Sequence, residues 1–261
     1  MIMSENPTVA IEYRNIFKRF SGSDYYAVND VDLSINEGEF ITILGSSGSG
    51  KTTLLKMTNR LYDPDSGSIT LFGENIRDVD VVQVRRRIGY VIQQVGLLPH
   101  FTIAQNIGIV PKLLKWDKER IEGRVRELLS LVGLEPDDFM RRYPSQLSGG
   151  QQQRIGLARA LAVDPKIMLL DEPFGAIDAI NRLNLQDELK RLHGGLRKTF
   201  LFVTHDINEA LKLGTRVIVM NEGRVCQYDT PANIAQNPAD GFVESLISSC
   251  KQQEKFWEGL G

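Results

Sequence analysis

The sequence predicts an α/β protein with a largely parallel sheet, and two observations lead to this fold class. Short apolar runs with little strict alternation are typical of strands covered on both faces. Helical stretches separate many of these runs, which is the pattern of parallel strands joined by crossover helices. The apolar runs cover residues 40–45, 88–93, 166–171, 199–205 and 216–220, and helical stretches cover 51–61, 154–162 and 179–192.

Two further regions complete the predicted architecture. Residues 9–20 and 68–73 alternate better between apolar and polar side chains and predict a smaller antiparallel layer. Between 95 and 143 the strand signal fades, and the helical period of 117–132 predicts a helical insertion. We therefore expect a core made of 1–94 and 152–247, a helical subdomain at 95–151 and a polar tail at 248–261.

The composition is that of an ordinary globular protein, with 42% hydrophobic and 25% charged residues among 261. A net charge of −2 gives no reason to expect a nucleic-acid-binding surface. No apolar run approaches the roughly 20 residues that a membrane-spanning helix needs, and the start lacks the basic and apolar regions of a secretion signal. Two cysteines, Cys226 and Cys250, are too few for a disulfide framework and favour a reducing cytoplasm.

The segment GSSGSGKT, residues 45–52, follows a predicted strand and opens a predicted helix. It matches the phosphate-binding loop G-x-x-x-x-G-K-[ST], in which backbone N–H groups surround phosphate oxygens. Lys51 can reach the outer phosphates, and the Thr52 hydroxyl can bind Mg²⁺, which prefers oxygen ligands. The alternative is a chance glycine-rich turn, but strand, spacing and lysine together favour a nucleotide site.

The run KIMLLDEP places Asp171 and Glu172 at the carboxyl end of a predicted strand. Ligands of α/β folds bind at this edge of the sheet. Asp171 is suited to hold magnesium, and Glu172 to orient or deprotonate an attacking water. Two solvated strand-end acids are the alternative, and the neighbouring phosphate loop motif makes it the weaker one.

Two further polar residues end predicted strands. Gln93 closes IGYVIQ, where an amide could contact magnesium or the attacking water; an ordinary polar strand end is the alternative. His205 ends TFLFVTH, where a histidine can hydrogen-bond the terminal phosphate.

The stretch LSGGQQQR, residues 147–154, begins a predicted helix. Ser148 and Gln151 fit a capping box, and Gly149 and Gly150 let something approach the backbone closely. Such a helix start suits an anion, although the stretch contains no lysine. The alternative is a helix cap at a tight packing point.

These motifs, in this order and with Asp178 in GAID, resemble the ATP-binding subunit of an ABC transporter over nearly the whole chain. The resemblance implies a P-loop NTPase (RecA-like) core with an ABC-type helical subdomain, and hydrolysis of ATP with Mg²⁺. It also implies a second copy, paired head to tail, whose phosphate is closed over by the glycines of LSGGQ.

The resemblance assigns a role to each matching residue. Glu172 and His205 are expected to be catalytic, and Thr52, Gln93 and Asp171 to bind magnesium. The expected nucleotide-binding residues are Phe20, Gly45, Ser46, Ser47, Gly48, Ser49, Gly50, Lys51, Thr52, Thr53, Gln93, Ser148, Gly149, Gly150, Gln151 and Asp178. Phe20 is the expected adenine-stacking aromatic, with Tyr25 or Tyr26 as alternatives and a merely packed aromatic as a third.

A finer resemblance is to importer ATPases for quaternary amines such as glycine betaine, carnitine and choline. It is carried by QQVGLLPHFTIAQNI, DEPFGAID and THDINEALKLGTRVIVMNEG. Many relatives carry two regulatory CBS domains, for which we expect no room after residue 247. The implied partners are transmembrane permease subunits and, through them, an extracytoplasmic solute-binding protein, with the chain at the cytoplasmic face of the membrane.

Three alternatives remain open at this stage. The chain could serve an importer of another small solute, act as an ABC ATPase on nucleic acid or ribosomes, or regulate without turnover.

The apolar residues Leu97, Leu98 and Phe101 could receive a helix of the permease or could simply pack the insertion.

Overall fold

The computed structural model describes residues 8–93, 95–175 and 177–258, without the side chains of 179, 180 and 253–258. Its strands are β1 (Val9–Lys18), β2 (Val28–Asn36), β3 (Phe40–Leu44), β4 (Ser66–Leu71), β5 (Glu74–Asn75), β6 (Ile88–Val91), β7 (Ile167–Asp171), β8 (Thr199–Thr204), β9 (Arg216–Asn221) and β10 (Arg224–Asp229). Its helices are α1 (Lys51–Thr58), α2 (Val81–Arg86), α3 (Ile103–Leu113), α4 (Lys118–Leu131), α5 (Pro136–Phe139), α6 (Gly149–Ala160), α7 (Ala179–Leu196), α8 (Ile207–Leu213), α9 (Pro231–Gln236) and α10 (Phe242–Glu258).

The chain forms two compact units, the first made of residues 1–84 and 199–261 and the second of 85–198. In the first unit, β3 lies between the parallel strands β8 and β9, and β10 pairs antiparallel with β9. Its core includes the tilted rings of Phe40, Phe200 and Phe202, with centroids of Phe40 and Phe200 5.2 Å apart. The predicted parallel strands at 40–45, 199–205 and 216–220 are therefore confirmed.

The first unit also contains the predicted antiparallel layer. Its strand order is β2-β1-β4-β5, and β1 pairs with β4 from Ile11 opposite Leu71 to Phe17 opposite Ser66. The sequence analysis did not identify β10, and it also missed β2, although Val31, Leu33 and Ile35 alternate there with polar residues.

The second unit combines β6 and β7, which are parallel, with the helices from α3 to α7. The apolar stripe predicted for 117–132 lies on α4, where Val125, Leu128 and Leu129 are buried. The compact unit extends beyond the predicted 95–151 subdomain because β6 pairs with β7 and α6 packs against α3 and β6. The residues expected to form a polar tail belong to α10 as far as Glu258.

Candidate nucleotide-binding site

The loop between β3 and α1 has a backbone that requires glycine. Gly48 and Gly50 have φ angles of 79° and 99°, a region that disfavours side chains. A Cβ on Gly50 would lie 2.2 Å from the carbonyl oxygen of Ala27, and one on Gly45 would lie 2.2 Å from that of Met220. Helix α1 starts after Gly50 without a capping side chain, as helix starts that bind phosphate do.

Lys51 holds its ammonium group inside this loop. Its Nζ donates to the carbonyl oxygens of Gly45 and Ser46, both at 2.8 Å, and to Ser49 Oγ at 3.4 Å. The side chain is 5% exposed. A positive charge therefore lies beside the loop's N–H groups, which is the electrostatic requirement for binding a polyphosphate.

The loop is supported by chain-distant segments of the same unit. Ser49 is buried, and its carbonyl oxygen accepts from the N–H of Gly223 in the β9–β10 turn at 3.1 Å. The carbonyl oxygen of Gly223 accepts from Asn29 N–H at 2.8 Å. The expected contact residues Ser46, Ser47 and Gly48 are exposed, and Thr52 and Thr53 are half-buried in the first turn of α1.

The aromatic candidates Phe20, Tyr25 and Tyr26 are all exposed at the end of β1. Phe20 packs edge-to-face against Tyr62 with centroids 5.2 Å apart, and Tyr26 packs likewise against Phe17 at 5.7 Å. Tyr25 is 74% exposed. The three alternatives therefore stay open, and Phe20 stays a prediction.

His205 follows β8 and is exposed. Its two neighbours in the chain, Thr204 and Asp206, are held by hydrogen bonds. Thr204 Oγ1 donates to the buried Glu209 at 2.6 Å and accepts from Asp206 N–H at 3.0 Å. Asp206 caps α8 by accepting from Asn208 N–H at 2.8 Å. The loop that carries His205 is thus anchored at the strand end and at the helix start.

In the second unit, β7 ends at Asp171, which is 7% exposed. Tyr90 Oη donates to Asp171 Oδ2 at 3.4 Å from the neighbouring strand β6. Sequence analysis missed Tyr90, because its closeness to Asp171 depends on the register that pairs Tyr90 with Leu169.

Glu172 adopts a left-handed backbone conformation, with φ of 45°. Such a conformation is uncommon for a residue with a side chain and is often found at functional sites. Gln93 Nε2 donates to Glu172 Oε2 at 3.3 Å, and the Glu172 carbonyl oxygen accepts from Gly175 N–H at 3.2 Å. The structure therefore brings together two polar residues that are 79 positions apart in the chain.

The capping box predicted at the start of α6 is confirmed. Ser148 Oγ accepts from Gln151 N–H at 3.3 Å, and Gln151 Oε1 accepts from Ser148 N–H at 3.0 Å. A Cβ on Gly149 would meet nothing within 4 Å, and one on Gly150 would lie 3.8 Å from Leu185 Cδ1. The alternative of a tight packing point is therefore wrong, since the described residues leave the glycine surface open.

Asp178 is the N-cap of α7. Its carboxylate accepts from Asn181 N–H at 3.1 Å and from Asn181 Nδ2 at 2.7 Å. Magnesium is usually held in proteins by one or two carboxylates together with the phosphates of the substrate. In the second unit, Asp171 carries a carboxylate of this kind. The described residues contain no group of three or more histidine, cysteine or acidic side chains that could hold a metal alone.

A glycine loop with a buried lysine, between a parallel strand and a helix, defines the class of P-loop nucleotide-binding α/β proteins. The family described as ABC transporter matches residues 28–175, and the chain belongs to this family. Among relatives, the choline transport ATP-binding protein OpuBA of Bacillus subtilis (strain 168) is 54% identical, over 89% of this chain and 61% of that protein. The glycine betaine uptake system ATP-binding protein YehX of Escherichia coli (strain K12) is 50% identical, over 91% of this chain and 76% of that protein.

The fold is also that of a solved ATP-binding cassette. The dimeric post-hydrolysis structure of MJ0796 bound to ADP and Pi is 36% identical, covers 85% of this chain and 98% of that one, and gives a TM-score of 0.75. The chain spans about three fifths of the length of the first curated relatives that it matches. Within the described part of the chain, no helix combines the length and the apolar character needed to cross a membrane.

Proposed function

We propose that this chain is the ATP-hydrolysing subunit of an ABC importer. The observation that carries the proposal is the contact between Gln93 and the left-handed Glu172. A carboxylate that can accept a proton, beside an amide that can orient water, suits phosphoryl transfer to water. Backbone strain of this kind clusters at active sites. The phosphate loop around Lys51 supports the same reaction.

In the proposed reaction, Lys51 and the loop N–H groups bind the outer phosphates, with Ser46 to Thr53 lining them. Glu172 accepts a proton from the attacking water while the amide of Gln93 orients it. His205 donates a hydrogen bond to the terminal phosphate. Thr52, Gln93 and Asp171 would hold magnesium, which when bound neutralises charge on the phosphate oxygens.

The signature residues Ser148, Gly149, Gly150 and Gln151 are proposed to serve a second copy of the chain. The open surface above Gly149 supports this role, because neither backbone strain nor packing among the described residues requires glycine there. Helix N-termini bind anions, so the start of α6 suits the γ-phosphate held by the other copy. Asp178 would lie at the same dimer contact, and the arrangement is two-fold and self-complementary.

The partners proposed for the importer are transmembrane permease subunits, which would keep the chain at the cytoplasmic face of the membrane. A groove of about 550 Å³ between α3 and α4 supports a docking site for a permease helix. Phe101, Ile109, Trp116 and Ile121 are among the apolar residues that line it. Leu98 and Phe101, which precede α3, are 38% and 40% exposed, and this apolar surface supports the same docking role.

A quaternary amine such as glycine betaine, carnitine or choline is the proposed solute, delivered by an extracytoplasmic solute-binding protein. Relatives named for choline and glycine betaine transport support this class. An ATPase subunit carries this information by kinship alone, and solute specificity can drift while the ATP machinery stays fixed. Another small solute is therefore the second candidate.

The test is reconstitution of the chain with its permease subunits in vesicles. We expect ATP hydrolysis that rises when a binding protein loaded with a quaternary amine is added, and no rise with a sulfate-loaded or amino-acid-loaded one. Stimulation by another solute alone would replace the solute class and keep the ATPase. Absence of hydrolysis, or purification with ribosomes instead of membrane subunits, would reject the proposed function.

A further inference from the structure

Helix α6, which begins at the signature motif, also holds the segment that follows Gln93. Arg159, in the last turn of α6, donates from Nη1 to the carbonyl oxygen of Gly96 at 2.8 Å and from Nη2 to that of Val95 at 2.5 Å. The planar guanidinium group suits such a two-pronged contact, since its N–H donors have a fixed geometry. One side chain thus fixes two consecutive carbonyl groups.

This contact places the charged guanidinium group of Arg159 where it is partly shielded from water. Burial lowers the pKa of Arg159 from its ordinary value. The acceptors that the described residues provide for it are carbonyl oxygens and not carboxylates. Desolvating a cation without an anionic partner costs free energy, so the contact is a poor choice for stability alone.

A second feature of α6 forms the same contact. Gly156 lies one turn before Arg159 and is buried, and a Cβ on it would lie 2.5 Å from Val95 Cγ1. Glycine inside a helix is less stable than alanine at the same position. Here the missing side chain creates the space that Val95 occupies. Gly96 itself has a φ of 57°, so the chain turns sharply at the point where it is held.

We propose that Arg159 and Gly156 are positioning residues that fix Val95 and Gly96 to α6 and thereby hold Gln93 against Glu172. The inference rests on the proposed function. Ser148 and Gly149 start the same helix, so the two ends of α6 link the surface offered to a second copy with the amide that orients water. Displacement of α6 would then change the Gln93–Glu172 contact.

The first experiment measures hydrogen exchange of the peptide covering residues 92–101 in the full chain. Arg159→Gln and Gly156→Ala should each raise exchange in this peptide while α4 stays protected. Gly123→Ala is the matched control for glycine, because a Cβ there meets nothing within 4 Å. Arg126→Gln is the control for arginine, because Arg126 pairs with the exposed Asp137 on the surface. Unchanged exchange in both test variants would overturn the proposal.

The second experiment separates positioning from folding. We expect kcat for ATP hydrolysis to fall between about tenfold and a hundredfold in both variants, as for a misplaced reacting group. The dissociation constant for a fluorescent ATP analogue should stay within about twofold, since binding is assigned to the Lys51 loop. Val95→Ala combined with Gly156→Ala should recover most of the lost kcat, because it removes the clashing methyl groups.

Equal loss of analogue binding, thermal stability and kcat would show a merely structural role and overturn the inference. So would a kcat near wild type in both variants. A wild-type chain that hydrolyses no ATP would reject the proposed function instead, and hydrogen exchange would still decide whether α6 anchors the segment.

Discussion

Glu172 combines a strained backbone with the carboxylate that the proposed reaction uses. A side chain held at φ of 45° costs on the order of 1–3 kcal/mol. The surrounding contacts, from Gln93 and from Gly175 N–H, maintain this conformation. Such strain is expected where stability is exchanged for a fixed geometry.

Glu172→Gln tests the carboxylate without changing the shape of the residue. We expect it to bind ATP as the wild type does and to lose at least about a hundredfold in turnover, the usual contribution of a general base. Phosphate release in single-turnover conditions measures the effect. Glu122→Gln, on the exposed face of α4, is the control, and near-normal turnover in Glu172→Gln would reject the assignment.

Glu172→Gly tests the strain itself. Glycine adopts positive φ without a steric cost, so the variant should recover the strain of about 1–3 kcal/mol, less about 0.5–1 kcal/mol for the entropy that glycine adds to the unfolded chain. It should lose turnover as Glu172→Gln does. Urea unfolding followed by circular dichroism measures the difference, and a large loss of stability would show that the carboxylate supports the fold.

Gly149→Asp separates the two roles considered for the signature motif. A side chain there meets nothing among the described residues, so thermal stability and ATP binding should be unchanged. A carboxylate at the helix start would repel an incoming phosphate, and ATP-driven dimerisation should be lost. Size-exclusion chromatography with ATP in the Glu172→Gln background measures it. Normal dimerisation would leave residues 148–151 as a cap alone.

At the scale of elements, strands and helices whose sequence pattern lies within one segment were predicted well. The strands β3, β7, β8 and β9 were identified from apolar runs, and α4 from its stripe. The capping box at Ser148 was predicted because its two partners lie three residues apart. In contrast, β2 was missed although Val31, Leu33 and Ile35 alternate with polar residues and are buried. Strand β10 has only exposed and half-buried residues and is stabilised by pairing with β9, which a local pattern does not reveal.

Contacts between distant segments of the candidate site could not be predicted. Tyr90 reaches Asp171 because β6 and β7 pair in one register, and Arg159 reaches Val95 because α6 packs against the preceding segment. Both depend on tertiary packing. Motif spacing gave the candidate residues, but it gave none of the residues that hold them in place.

The turn between α6 and β7 offers a pH-dependent test of the second unit. Lys198 Nζ, which is buried, donates to Asp164 Oδ1 and to the carbonyl oxygen of Pro165, both at 2.7 Å. The hydrogen bond from Lys198 lowers the pKa of Asp164. A lowered carboxyl pKa stabilises the fold above the unfolded value of about 3.9, and this contribution is lost as the pH falls through the folded pKa.

Asp164→Asn should therefore lower the free energy of unfolding at pH 7 by about 1 kcal/mol or less, since the carboxylate is largely exposed and screened. The difference from the wild type should shrink below about pH 4. Urea titrations at pH 7 and pH 3 measure both. A difference that is the same at the two pH values would show that the ion pair contributes nothing.

At the scale of the whole molecule, the groove between α3 and α4 and the exposed Leu98 that precedes α3 lead to a prediction about assembly. Leu98→Asp and Phe101→Asp should abolish purification with the permease subunits while ATP binding and thermal stability remain, since both side chains are already partly exposed. Leu113→Asp, at an exposed position at the end of α3, is the control. General unfolding of the first two variants would assign these residues to the interior of the second unit instead.

The support of the phosphate loop has a consequence for synthesis of the chain. Residues 45–52 leave the ribosome well before residues 216–223, but the loop is completed by β9, which pairs with β3, and by the Gly223 N–H that binds Ser49. A nascent chain shorter than this turn contains the whole motif and lacks its support. Nucleotide affinity should therefore arise only after this turn has been translated, so that a nascent chain does not capture ATP before both segments of its first unit exist.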